Sequence, residues 1–108
     1  MAEGRAELVL CTTPDGEVAE RLAKLVVGEG LAACVSIIPK VRSVYRWQGE
    51  VHIDDEHQLL VKTWSTRRDA LIARLAEAHP YDVPELIALP IESGFAPYLS
   101  WIEASTES

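Results

Sequence analysis

Two cysteines in 108 residues are too few for a disulfide scaffold or a four-thiolate zinc site, and Cys11 and Cys34 do not form a C-x-x-C pair. The histidines His52, His57 and His79 show no H-E-x-x-H spacing. A glycine-rich phosphate loop, a nucleophile elbow and a serine in a recognisable catalytic setting are all missing, so no enzymatic signature stands out and a non-catalytic role is expected. No basic start leads into an apolar run, and no apolar stretch approaches bilayer length. The expectation is a soluble, cytoplasmic protein with no membrane partner. Basic residues are also scarce: 10 Lys and Arg against 17 Asp and Glu give a net charge of -7. That balance disfavours nucleic acid, whose phosphates are bound by Lys and Arg with release of counterions. It suits cations, although solubility alone explains an acidic surface. Without repeats or linkers, residues 1–108 read as one domain with a core over roughly 6–104.

The apolar run Leu8-Val-Leu-Cys11 marks a strand from Glu7 to Thr13 that is buried on both faces. Thr13 and Pro14 then resemble an N-cap and first helical position, and Val18, Leu22, Leu25 and Val26 follow at helical spacing until Gly28 and Gly30. A second strand runs from Ala33 through Ile38, bends at Pro39-Lys40 and resumes to Trp47. Gln48-Gly49 is a tight-turn signal, and the return strand ends at Leu59-Leu60-Val61, giving a long hairpin. Thr66 with Asp69 resembles a capping box, and Leu71, Ile72, Leu75 and Ala76 form the stripe of a second helix that also carries His79 and is ended by Pro80. Leu86 to Leu89 supplies a fourth strand. Pro97 to Glu103 can form a short last helix.

The order βαββαβ plus a terminal helix predicts an α+β, ferredoxin-like fold: an antiparallel sheet in order 4-1-3-2 with both main helices on one face. A sheet with one wet face should alternate apolar and polar residues, yet all four strands carry consecutive apolar residues. Something must therefore cover the second face, and another copy of the chain is the economical candidate. A homo-oligomer follows from this pattern alone.

Several residues carry candidate chemistry. Cys11 and Cys34, on strands 1 and 2 with strand 3 between them, stand about 9.6 Å apart, beyond the roughly 7 Å limit of a disulfide and awkward for one shared metal. Cys11 reads first as a small buried hydrophobe, whereas Cys34 reads equally as ligand or packing. If Gln48-Gly49 is the turn, His52, Asp54 and Glu56 share a hairpin face, with Tyr45 and Ser43 opposite the first two and Arg42 facing Asp55. That row could hold copper, nickel or zinc, but cross-strand ion pairs and a charged sheet edge explain it without metal. Lys62, next to an apolar run, needs a partner: an anionic ligand, or an ion pair with Glu56, Asp82 or Glu85. Trp47 and Tyr45 can wall a pocket or pack on a neighbour. His79, in the last turn of its helix, can donate to free helix carbonyls. Pro80 and Pro84 bracket a stiff elbow that leaves Tyr81, Asp82 and Glu85 to face a neighbour or ligand.

The blocks His79-Pro-Tyr-Asp-Val-Pro-Glu85, Leu31-Ala-Ala-Cys-Val35, Ile38-Pro39, Tyr45, Trp47-Gln-Gly-Glu50, Lys62-Thr63 and Tyr98-Leu-Ser-Trp101 resemble, in order and spacing from about Glu7 to Ala104, the CutA family of divalent-cation tolerance proteins. The resemblance implies a tight homotrimer, a part in tolerance of copper and other divalent metals, and architecture like the PII signalling proteins, whose ligands bind between subunits. It makes Cys11 and Cys34 the copper-ligand candidates, with His79 beside them, and requires no cofactor beyond such a metal. Some relatives carry a further cysteine in the second helix, where this chain has Leu71 to Leu75. Trp47, Lys62, His79 and Tyr81 match positions that line an intersubunit cleft, so Trp47, Lys62, Tyr81, Glu56 and Glu85 form the candidate cleft set. A scaffold that engages a protein partner, with metal effects indirect, is the alternative.

Overall fold

The computed structural model describes residues 3–107. Its elements run β1 (Ala6–Thr13), α1 (Gly16–Gly28), β2 (Cys34–Trp47), β3 (Glu50–Trp64), α2 (Ser65–Ala78), β4 (Ile87–Pro90) and α3 (Ala96–Ser105). All pairings are antiparallel and the sheet order is β2-β3-β1-β4, the predicted order read from the other edge. The β2–β3 hairpin is as long as expected and projects beyond the helices, which stretches the molecule to 49 Å against 25 and 22 Å in the other directions.

Burial alternates along the central strands as a period of two requires. Val9 and Cys11 of β1 and Leu59 and Val61 of β3 are fully buried beneath Ala19, Leu22 and Val26 of α1 and Leu71 and Leu75 of α2. Ala76, expected on the α2 stripe, is exposed, and Ala78 packs on the core in its place. Two threonines close the ends of this layer. Thr13 Oγ1 donates to the His57 carbonyl at 3.0 Å, and Thr63 Oγ1 donates to the Leu31 carbonyl at 2.8 Å.

The helix starts differ from expectation. Thr13 spends its hydroxyl on the sheet, so Asp15 is the α1 N-cap, its Oδ1 accepting from Val18 N–H at 2.9 Å. At α2 the Thr66–Asp69 box does not form, because Trp64 is the cap residue and makes no side-chain bond there. The Ser65 hydroxyl instead accepts from Arg5 N–H at 2.9 Å. The α1 stop is as read: Gly30 at φ +73 lets Gly30 N–H reach the Val27 carbonyl and Leu31 N–H the Val26 carbonyl, the paired bonds of a Schellman ending.

Helix α3 covers part of the second sheet face, with Ile102 packed on Ala6 and Ala33 and with Leu99, Trp64 and Ile91 around them. It shields only one end. Leu8, Leu10 and Leu60 stay half-buried on the remainder, and Ile38, Ile87 and Leu89 stay exposed.

Leu75 has no exposed surface and sits where α2 meets the sheet. Leu75→Ala is expected to lower stability by about 2–5 kcal/mol, with the urea midpoint shifted and the slope unchanged.

Candidate functional site

A register shift between Ile38 and Val41 places Lys40 in the left-handed region at φ 56 and resets which residues of β2 share a face. Beyond that bulge, Ser43 pairs with Asp54 and Tyr45 with His52, so Ser43, Tyr45, Trp47, Asp54 and Glu56 occupy one side of the hairpin. The turn that fixes this register has Gln48 at φ 50 and Gly49 at φ 83, the double left-handed geometry that matches strand twist. The sequence reading of the cross-strand neighbours holds, including Arg42 opposite Asp55 at 3.5 Å. Both partners of that pair are exposed, so it contributes little.

Opposite this wall stands the elbow between α2 and β4. His79, which ends α2, is tied down through both ring nitrogens: Nδ1 accepts from Tyr81 N–H at 3.1 Å, and Nε2 lies 2.8 Å from the Thr12 carbonyl. A carbonyl only accepts, so Nε2 carries the proton. The imidazole thus bonds β1 and not the free helix carbonyls. Its ring also lies 4.7 Å from that of Tyr81. The Tyr81 hydroxyl then spans the gap to the hairpin and donates to Glu56 Oε2 at 2.7 Å.

Hairpin, elbow and the end of β1 enclose a cleft of about 830 Å³, lined by Tyr45, Trp47, Asp54, Glu56, Tyr81 and Glu85 with Thr12, Ser43, Val44, Asp82, Val83 and Pro84. That size suits a small organic molecule. Four carboxylates and no lysine or arginine line it. Burial, then the neighbouring Glu56, holds the Glu85 carboxyl above its usual range. The Tyr81 hydroxyl is raised by burial and then by its bond to Glu56. Tyr45 donates to Asp54, which raises its hydroxyl as well.

Of the residues singled out from sequence, Trp47, Glu56, Tyr81 and Glu85 meet in this cleft. Lys62 does not. It lies on β3 six residues from Glu56, about 20 Å along the strand, and its Nζ is 3.0 Å from Ser36 Oγ and 3.9 Å from Cys34 Sγ. The expected ion pair with Glu56, Asp82 or Glu85 is replaced by these two contacts. Tyr98 of α3 joins them, its hydroxyl raised by burial and by the Cys34 sulfur. Cys11 pairs with Leu59 and Cys34 with Lys62, positions of opposite parity on β3, so the two thiols sit on opposite sheet faces. Among the described residues no group of three His, Cys, Asp or Glu is close enough to hold a metal ion. Cys11, Cys34 and His79 therefore do not form one site within a protomer. The sequence reading missed Thr12 at the cleft, which carries no motif, and the place of Tyr98 beside Cys34, since the Tyr98-Leu-Ser-Trp101 block was matched as a block with no contact assigned to it. Tyr45 and Asp54 were legible from the turn alone.

Known proteins share both this sequence pattern and this fold. The family profile described as "CutA1 divalent ion tolerance protein" matches residues 7–105. This chain belongs to that family. The "Divalent-cation tolerance protein CutA" of Thermus thermophilus is 51% identical over 100 residues, covering 93% of this chain and 97% of the relative. A solved structure of the divalent cation tolerance protein from Thermus thermophilus superposes with a TM-score of 0.92 at 50% identity, covering 94% of this chain and 99% of that one. "Protein CutA 1, chloroplastic" of Oryza sativa is 46% identical, covering 92% of this chain and 56% of the relative.

Cys11 has no exposed surface, and burial, then Glu85 and Glu56, push its thiol up from 9.0 to about 12. Between those two values the unfolded chain loses a proton that the native state keeps, so stability falls as pH rises. Denaturation midpoints of the native chain are expected to drop from about pH 9 upward, with Cys11→Ala flattening that slope and Cys11 resisting iodoacetamide until unfolding. Rapid alkylation of native Cys11 at pH 9 contradicts this.

Proposed function

We propose that this chain is a non-catalytic binding protein of divalent-cation tolerance, copper among the cations, that works as a cytoplasmic homotrimer and receives its ligand in the cleft between hairpin and elbow. The cleft is the observation that carries the reading. It collects four carboxylates and the rings of Tyr45, Trp47 and Tyr81 around one cavity, a set that attracts positive charge. The names of the relatives agree with a part in cation tolerance.

Assembly is supported by what α3 leaves uncovered. Leu8, Leu10, Leu60, Ile87 and Leu89 share the second sheet face by register, and three copies packed through it bury a surface that water would otherwise meet. Cys34 lies on that same face with Lys62, Ser36 and Tyr98, where a neighbouring subunit can add ligands to a thiol that suits copper. Both cysteines are unpaired, in keeping with a reducing compartment. No helix among the described residues is long and apolar enough to cross a membrane. One observation favours the scaffold reading: Val44, Val51 and Ile53 are exposed on the opposite face of the hairpin, where a protein partner could dock.

Sedimentation equilibrium is expected to give three times the 11.9 kDa chain mass, and Leu89→Arg a smaller species. Calorimetric titration with copper is expected to lose heat in Cys34→Ser. A wild-type monomer, or the same copper isotherm in both proteins, overturns the corresponding part.

A further inference from the structure

Two glutamates in this chain are buried to nearly the same degree and are treated in opposite ways. Glu7 is 2% exposed and meets the guanidinium of Arg68 at 3.0 Å and that of Arg5 at 3.2 Å. Glu56 is 8% exposed and forms no ion pair among the described residues, its side chain bonded by the neutral Tyr81 hydroxyl. A buried carboxylate without countercharge is costly, and the interior of this chain compensates such a group where it can. Glu56 lines the cleft together with Asp54, Asp82 and Glu85, all of one sign.

We infer that the countercharge is the ligand: the cleft selects a small organic cation, an ammonium or guanidinium group on an apolar body, over a bare metal ion or an anion. The inference rests on the cleft being the ligand site, as proposed above. The tyrosine hydroxyls of Tyr45 and Tyr81 are held by Asp54 and Glu56, which fixes their rings in the wall beside Trp47. Aromatic rings held in a wall with carboxylates bind such cations through charge and π-face together. A bare metal ion uses neither rings nor 830 Å³, and no three ligating side chains among the described residues converge on one. An anion meets four carboxylates. Val83 and Pro84 supply the apolar surface for the body of the ligand. The Glu85 carboxyl, raised by burial and then by the neighbouring Glu56, is offered a countercharge by a bound cation.

Calorimetric titration of the full chain with agmatine and with benzyltrimethylammonium tests this, with benzyl alcohol and benzoate as neutral and anionic controls. Saturable binding of at least one cation, and of neither control, is expected. Glu56→Gln and Trp47→Ala should each weaken it by about tenfold or more. Trp47 is exposed, so Trp47→Ala keeps the test open if Glu56→Gln does not fold. Silence from both cations, benzoate bound as well as they are, or undiminished binding in folded Trp47→Ala and Asp54→Asn overturns the assignment. Copper run in parallel separates the two readings. A chain that binds copper but neither organic cation refutes the ligand class and leaves the metal role standing. One that binds the cations but not copper supports the ligand class and removes direct copper binding.

Discussion

The register of β3 is the constraint on which the rest of the structure depends. This strand lies between β2 and β1 and pairs with both, so its side chains from Gln58 to Lys62 are assigned to a face twice over. Leu59, Val61 and Thr63 point to the helices, while Gln58, Leu60 and Lys62 point away. A slip of one residue would drive Lys62 into the core and expel Leu59 and Val61, an exchange that hydrophobic burial forbids. The left-handed Gln48-Gly49 turn holds the register at one end, and the Leu31 carbonyl that accepts from Thr63 holds it at the other.

The bulge at Pro39-Lys40 is the one place where that regularity is broken, and the cleft exists because of it. Cys34, Ser36 and Ile38 face away from the helices; after the shift Val41, Ser43, Tyr45 and Trp47 do so instead. Without the extra residue, Arg42, Val44 and Arg46 would share the face of Asp54 and Glu56, and the cavity would lose its aromatic wall and gain guanidinium groups. A local backbone irregularity thereby decides both the shape and the sign of the site.

Much of this was legible in the residues because it follows from period and punctuation. Gly30 and Gln48-Gly49 demand left-handed backbone, and the hairpin turn fixes every cross-strand neighbour down to Arg42 and Asp55. Residues with competing partners were not legible. Thr13 has the look of an N-cap, but the His57 carbonyl claims its hydroxyl and Asp15 takes the cap. Ser65 accepts from Arg5 N–H, a bond sixty positions away in the chain that no local rule contains. Lys62 was read toward the carboxylates because charge suggests it, yet strand geometry puts it about 20 Å from them, against Ser36 and Cys34.

The same geometry divides the chemistry of the chain into two regions. Cys11 lies on the helix face, across the sheet from the Asp54 and Glu56 that line the cleft, its thiol kept protonated by burial and by Glu85 and Glu56. Cys34 lies on the other face, three β3 positions away by register, beside a lysine and a tyrosine. A protonated, enclosed sulfur is a poor metal ligand, whereas Cys34 is only half-buried and stands beside Lys62 and Ser36. Cys34 and the cleft residues Asp54 and Glu56 thus share the face turned away from the helices and are separated along β3. His79 belongs to neither region, since both of its ring nitrogens are engaged with backbone and its work is to hold the elbow against β1. Metal chemistry and ligand recognition need not share a site in this fold, and β3, which carries Lys62 on one stretch and Glu56 on another, joins the two regions.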